Sequence, residues 1–254
     1  MNRYLLFQLY GPWCAWGEVA VGEVRPSETR PTRSALLGLL AAALGIRREE
    51  QARLDALAAA FRFAVVVDAP GVPEVDYHTV QTTAPRRGRV FRRRADQLAL
   101  PRHELETILS QRHYRADALY RVAVSRGEGG EAPSLDELVA ALRRPAFPLF
   151  LGRKSCPPAA PLAPRVLAAT DLLAALALLT EPGGEPAGPL PAPELRRLRR
   201  RQQPWLYWEE EFPAPGLASH FASQRRDEPG RRSVWLFQSR RELAAPLPAT
   251  GGAP

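Results

Sequence analysis

The chain has 254 residues, enough for one large domain or two small ones with a real hydrophobic core, so neither metal nor disulfide staples are needed. Its 35 basic against 27 acidic residues give a net charge of +8 and a pI near 10.3, which favours a polyanionic partner over an acidic one. Cys14 and Cys156 have no close-spaced Cys or His around them, which excludes a metal framework and a disulfide scaffold and fits a reducing cytoplasm.

YLLFQLYG, residues 4–11, reads as a buried first strand ended by the turn-forming GPW. Because the first ten residues already alternate like a strand, no signal peptide is expected, and no apolar run approaches the roughly 20 residues needed to cross a bilayer. RPTRSALLGLLAAALGI, residues 30–46, predicts a helix capped by Thr32 or Ser34, with Gly45 near its C-terminal cap. FRFAVVVDAPG (61–71) and ALYRVAVSRG (118–127) are the second and third strands. SLDELVAALRRP is a second helix with a Ser134 cap, acids in its first turn and arginines in its last. AFPLFLGR, residues 146–153, is expected as a fourth strand.

The resulting order, strand, helix, strand, strand, helix, strand, is the split pattern of an α+β ferredoxin-like (RRM-like) fold, whose four-stranded sheet also frames RNA-recognition modules. Residues 1–160 would form this domain. Between the second and third strands lie residues 69–117, where the fold needs only a hairpin turn; an insertion of that length is usually functional or independently structured. Arg86, Arg87, Gly88 and Arg89 have the character of a hairpin tip, and Arg92, Arg93 and Arg94 follow, so the insertion, about residues 77–115, is expected to be a projecting basic β-hairpin. Beyond 160 the chain turns proline-rich: a helix in ATDLLAALALL (169–179), a Pro/Gly loop, the basic run RRLRRR (196–201) and strands in QPWLYWEEE and RRSVWLFQSRREL form a smaller, mostly β C-terminal region.

Arginine supplies all of the basic charge except Lys154. A GC-rich genome and selection for phosphate-gripping guanidinium forks both produce that bias, so composition alone does not choose RNA. Placement says more. Arg30 and Arg33 precede an apolar helix, although cations there oppose the helix dipole by about 0.3–1 kcal/mol each. A phosphate held at the helix N-terminus beside Thr32 and Ser34 would reverse that field, and Gly38, which costs a helix roughly 1 kcal/mol against alanine, would serve either close backbone approach or plain helix–sheet packing. Tyr77 and His78 enter the hairpin and Arg112, His113, Tyr114 and Arg115 leave it, so both sets should meet at its root, where rings and guanidinium planes stack on splayed bases. Phe147, Phe150, Arg153 and Lys154 alternate aromatic and basic groups; at least one phenylalanine is expected in the core. Cys156 reads as a small buried residue.

Six collinear blocks carry a resemblance: YLLFQLYGPWCAWG, RPTRSALLGLLAAALGI, DYHTVQ, RHYRADALYRVAV, PLFLGRKSCPPA and RRDEP with the following SR. In order and spacing they resemble the CasD subunits of type I-E CRISPR Cascade complexes, in the repeat-associated RNA-binding superfamily, over nearly the whole chain. The resemblance implies a ferredoxin-like domain with a β-hairpin thumb that caps the 5′ handle of CRISPR RNA, contacts the Cascade backbone subunits and large subunit, and meets target DNA through the complex, in the cytoplasm. Relatives that cleave precursor RNA carry a tyrosine, lysine and histidine set; here Lys154 sits apart from any His-Tyr pair, so the expectation is a non-catalytic subunit without metal or cofactor. The RNA-binding set is Arg25, Arg30, Thr32, Arg33, Ser34, His78, Arg86, Arg87, Arg92, Arg93, Arg94, Arg112, His113, Tyr114, Phe147, Phe150, Arg153 and Lys154. Two rivals stand beside it: a metal-independent endoribonuclease using His78 or His113 as base, and a free-standing RNA chaperone.

Overall fold

A computed structural model describes residues 1–84, 90–127, 131–178, 203–230 and 236–248. The protein is mixed α/β, a mostly antiparallel sheet with few helices. Strand β1 (Asn2–Cys14) leads through short β2 (Trp16–Gly17), β3 (Val24–Arg25) and β4 (Ser27–Glu28) to helices α1 (Arg33–Ala43) and α2 (Gln51–Ala60). Long strands β5 (Phe61–Thr83) and β6 (Leu105–Arg126) follow, with the short helix α3 (Arg94–Leu98) between them. Helix α4 (Leu135–Arg143), β7 (Arg165–Ala169), α5 (Leu172–Ala177), β8 (Trp205–Glu209), β9 (Phe221–Pro229) and β10 (Phe237–Pro246) complete the order.

The main sheet runs β7-β1-β6-β5-β8-β10-β9, every neighbouring pair antiparallel, with β3 added parallel to β6. Alternation along the strands divides the core. Leu5, Phe7 and Leu9 of β1 and Phe61, Phe63, Val65 and Val67 of β5 pack beneath α1, α2 and α4, whereas Tyr4, Leu6, Ala64 and Val66 pack with α5 and Phe212 on the opposite face. Burial of that kind contributes about 25 cal/mol per Å² of apolar surface and is why the strands hold register.

Local signals explain the helix ends. Thr32 is the N-cap of α1, its hydroxyl accepting from the Ala35 amide. At the other end Gly45 has φ +71°, and the amides of Gly45 and Ile46 donate back to the Ala42 and Ala41 carbonyls, closing a left-handed cap that favours glycine. Ser134 and Glu137 form a reciprocal capping box on α4.

Three readings from sequence are corrected. Residues 146–153 form bends and turns, not a strand: the Ala146 and Phe147 amides donate to the last carbonyls of α1, and the edge beside β1 is taken by β7. Helix α2 and strand β9 have no counterpart in the sequence reading. The strands read at 61–71 and 118–127 are also far longer, because each continues into the hairpin. Residues 85–89 and 179–202, with Arg86, Arg87 and the basic run at 196–201, lie outside the described residues.

Candidate nucleic-acid interface

The apolar α1 places its N-terminus against the C-terminal strands, and carboxylates already hold it there. Arg33 is buried; its guanidinium meets Glu209 at 2.6 Å, pairs with Glu228 and donates to the Ala58 and Phe61 carbonyls at 2.5 and 3.1 Å. The Arg33 amide donates to Asp227 at 2.9 Å, so a side chain fills the role expected of a phosphate. Arg30 pairs with Glu242 and lies 4.0 Å over the Tyr207 ring. Arg225 and Arg240 complete the cluster, Arg240 reaching Asp227 at 2.6 Å and Glu242 at 3.1 Å, and Arg225 reaching Glu242 at 3.2 Å. Arg30 and Arg33 therefore offset the helix-dipole cost through protein carboxylates, which corrects the phosphate reading of these two residues.

Electrostatics in the cluster are divided. Burial pushes the Glu209 carboxyl above its ordinary range although Arg33 and Arg240 pull it down, and burial does the same for Glu228. For Asp227 burial also pushes upward, but the hydrogen bonds and charge of Arg240 win and hold it below the usual aspartate range. Among the described residues Glu209 Oε1 and Arg240 Nη1 have no hydrogen-bond partner, so the cluster is dense but imperfectly satisfied there.

The second region is the arm. Past β1, β5 and β6 stay paired from Glu74↔Tyr114 to Thr83↔Leu105, a ribbon roughly 30 Å long at about 3.3 Å per residue, to which the short β3 adds at Gln111 and Arg112. Opposed residues share a face. Asp76 with Arg112 and His78 with Ser110 lie on the face of Tyr114, while Val75 with His113 and Tyr77 with Gln111 lie on the other. His78 Nε2 is 2.5 Å from Asp76 Oδ2. Helix α3 folds back on the ribbon: Arg94 donates to the Gln81 carbonyl, and Gln97 bonds the Thr82 and Thr83 hydroxyls. Arg92 and Arg93 are exposed.

At the root of the arm Arg25, Arg112, Tyr114 and Arg153 come together, whereas Tyr77 and His78 pair further out, with Gln111 and Ser110. Arg25 of β3 sits in register with Arg112 of β6. Arg153 donates to the His113 carbonyl and the Arg25 carbonyl, both at 3.0 Å, and lies 4.6 Å over the Tyr114 ring, which also meets the Trp13 ring at 4.9 Å, tilted by 45°. Tyr114 is consequently a buried fixture beneath the guanidinium and not an open stacking face. The turn that delivers Arg153 depends on Gly152, whose φ is +87° and where an added Cβ would lie 1.8 Å from the Ala15 carbonyl oxygen.

A model of the family described as CRISPR-associated protein (Cas_Cas5) matches residues 4–211. The chain belongs to the Cas5 family of CRISPR-associated proteins. Its Cas5 sequence is 36% identical over 193 residues, 73% of this chain and 80% of the relative, to the CRISPR system Cascade subunit CasD of Escherichia coli (strain K12). Among solved structures, a chain of a CRISPR RNA-guided surveillance complex matches with a TM-score of 0.61 and 27% identity, over 99% of this chain and 93% of that one. A second, described as a Cas protein, matches with a TM-score of 0.55 and 28% identity, over 96% and 95%.

In this Cas5 chain the remaining predicted residues are scattered. Thr32, Ser34 and Phe150 line a groove of about 780 Å³ along α1. Phe147 is half-buried beneath Arg47, 5.8 Å away, and Lys154 is exposed. Cys14 and Cys156 are buried, and burial pushes the Cys14 thiol up to about 12, an inert state for a nucleophile. No group of three metal-ligating side chains occurs among the described residues, and no helix there is long and apolar enough to cross a membrane. Sequence reasoning missed Asp227, Glu209 and Glu242. Asp227 stands in the RRDEP block and Glu242 beside the arginines of SRREL, whereas Glu209, in WLYWE, has no arginine near it in sequence.

Proposed function

We propose that this Cas5 chain is a non-catalytic subunit of a Cascade-type CRISPR RNA-guided surveillance complex in the cytoplasm, holding the 5′ handle of CRISPR RNA and anchoring the backbone and large subunits, with target DNA engaged through the complex. In this reading strands β7-β1-β6-β5 and their helices are the ferredoxin-like core, since their order is the antiparallel order of that fold, and the β5–β6 ribbon is the thumb. The observation that carries it is the arm root, where one guanidinium ties β3, β6 and the 150s turn together beside Arg25 and Arg112. Such a rigid basic corner suits phosphates, and the ribbon beyond it is too exposed to serve the chain's own core. The test is purification of the tagged chain with its co-expressed partners. One RNA of uniform 5′ end, cross-linking to the β3–β6 corner, is expected; a lone chain free of RNA would refute the assignment.

The contact between His78 and Asp76 favours a second reading, a metal-independent endoribonuclease in which an aspartate-oriented histidine deprotonates a 2′-hydroxyl. Incubation with repeat RNA in chelator separates the two. Specific cleavage that disappears in His78→Ala or His113→Ala would establish the enzyme.

A further inference from the structure

Three residues that suit strands poorly meet on one line across the sheet. The pairing of β1 with β6 passes from Gly11↔Ala118 to Trp13↔Ala116, and that of β5 with β6 from Pro70↔Ala118 to Val72↔Ala116. Pro12, Asp117 and Gly71 therefore stand abreast on three adjacent strands, where the sheet gives way to the arm, and the ladder skips all three. Proline, aspartate and glycine are each depleted in strands, and Pro12 has no amide hydrogen to give a ladder.

The backbone turns at this line. Gly71 has φ +68° and Asp117, facing it, φ +53°, so both strands of the ribbon become left-handed at the same step. Interruptions of this kind bend and twist a strand pair. Glycine adopts that conformation freely, whereas a residue with a Cβ does so rarely, aspartate more readily than most. The Asp117 carboxylate accepts from the Tyr10 hydroxyl at 3.4 Å. A Cβ at Gly71 would lie 2.6 Å from the Ala116 carbonyl oxygen and 2.9 Å from the Ala118 Cβ, so the bent form admits no side chain there. Pro12 and Asp117 are exposed, so packing of their side chains does not impose the bend. A conformation kept at an exposed position against local preference points to a use for the shape it gives.

We infer that Pro12, Gly71 and Asp117 form a joint that sets the angle between the sheet and the arm. They are positioning residues: without touching RNA, they fix where the arm's arginines, Arg92, Arg93 and Arg112, meet phosphate. The ribbon past β1 is roughly 30 Å long at about 3.3 Å per residue, so a change of about 20° at its base moves its tip by roughly 10 Å. A hydrogen bond to phosphate forms only within about 3 Å. The inference rests on the RNA-binding reading above, to which it adds what aims the arm.

The test reads the angle and the binding separately. Spin labels on Thr79→Cys in the arm and Asp55→Cys on α2, both exposed positions, give the distance by double electron–electron resonance, since Cys14 and Cys156 are buried. Gly71→Val, which cannot keep the left-handed form, should shift the mean distance in the RNA-free chain by roughly 10 Å. With every arginine intact, it should also weaken binding of a single-stranded oligouridine about tenfold, the scale of one charge-assisted hydrogen bond. Asp117→Gly, which keeps access to the left-handed form and gains access to others, should fold like the parent, broaden the distance distribution and weaken binding in the same direction. An unchanged mean in Gly71→Val together with a parent-like width in Asp117→Gly would overturn the joint; if Gly71→Val does not fold, that parent-like width overturns it alone. Altered distances with parent-like RNA binding would overturn the positioning role, and an impaired Arg112→Gln would then leave the RNA-binding reading standing. A parent chain that binds no RNA would overturn that reading and the positioning role with it.

Discussion

Arg33 and Glu209 meet at 2.6 Å inside the protein, their side chains 4% and 7% exposed, across 176 residues of sequence. The pair joins the first turn of α1 to strand β8, and through Asp227 and Glu228 to β9. Helix α1 is thereby fixed to the C-terminal part of the sheet by charge as well as by its apolar face.

Removal of one partner leaves the other buried and uncompensated. Arg33→Gln should therefore lose about 3–5 kcal/mol of unfolding free energy in urea titration. A loss under about 1 kcal/mol would mean that the pair behaves like a surface bridge.

Glu209 also sets a pH dependence. Its folded value is raised by burial, so the folded protein binds this proton more readily than the unfolded chain, and its contribution to stability grows as pH falls from neutrality through that raised value. Asp227 acts oppositely: its folded value is lowered, so its contribution is present above the ordinary aspartate value and is lost as pH falls through the folded one. Between pH 7 and 5, the parent should gain stability relative to Glu209→Gln. A difference that moves the other way on acidification would contradict the raised carboxyl.

Gly152→Ala should be among the most damaging single changes, because the new Cβ would collide with the Ala15 carbonyl at a backbone angle that L-residues avoid. The expected result is a fall in thermal stability together with faster hydrogen exchange in residues 21–27, as Arg153 leaves its seat. Arg153→Ala should reproduce the exchange at 21–27 with a smaller thermal loss, of about 1–2 kcal/mol for its hydrogen bonds and its contact with Tyr114.

On the arm, Arg92 and Arg93 are exposed, so their double change to alanine should leave folding intact. If both touch phosphate, the slope of log affinity against log salt for single-stranded RNA should become shallower by roughly 0.7 for each phosphate no longer neutralised. An unchanged slope would identify them as solvated charge.

Where a structural signal was complete within a few residues, the sequence determined it. The Ser134–Glu137 box and the Gly45 cap define their helix ends by hydrogen bonds spanning three to five positions, and FRFAVVV is β-branched enough to be a strand anywhere. The insertion at 69–117 stood out as too long for a turn, and β5 and β6 stay paired through much of it. Tertiary structure decided the rest. PLFLG at 148–152 has strand composition, yet the edge of β1 is given to residues 165–169, since pairing is a competition between segments and not a property of one. Arg30 and Arg33 looked reserved for a phosphate because Glu242 and Glu209 stand 212 and 176 residues away, and a charge is assigned a partner only when the fold brings one within reach. Gly38 is the converse: its cost is visible in the sequence, and only the fold shows that no neighbour stands within 4 Å of where its Cβ would lie.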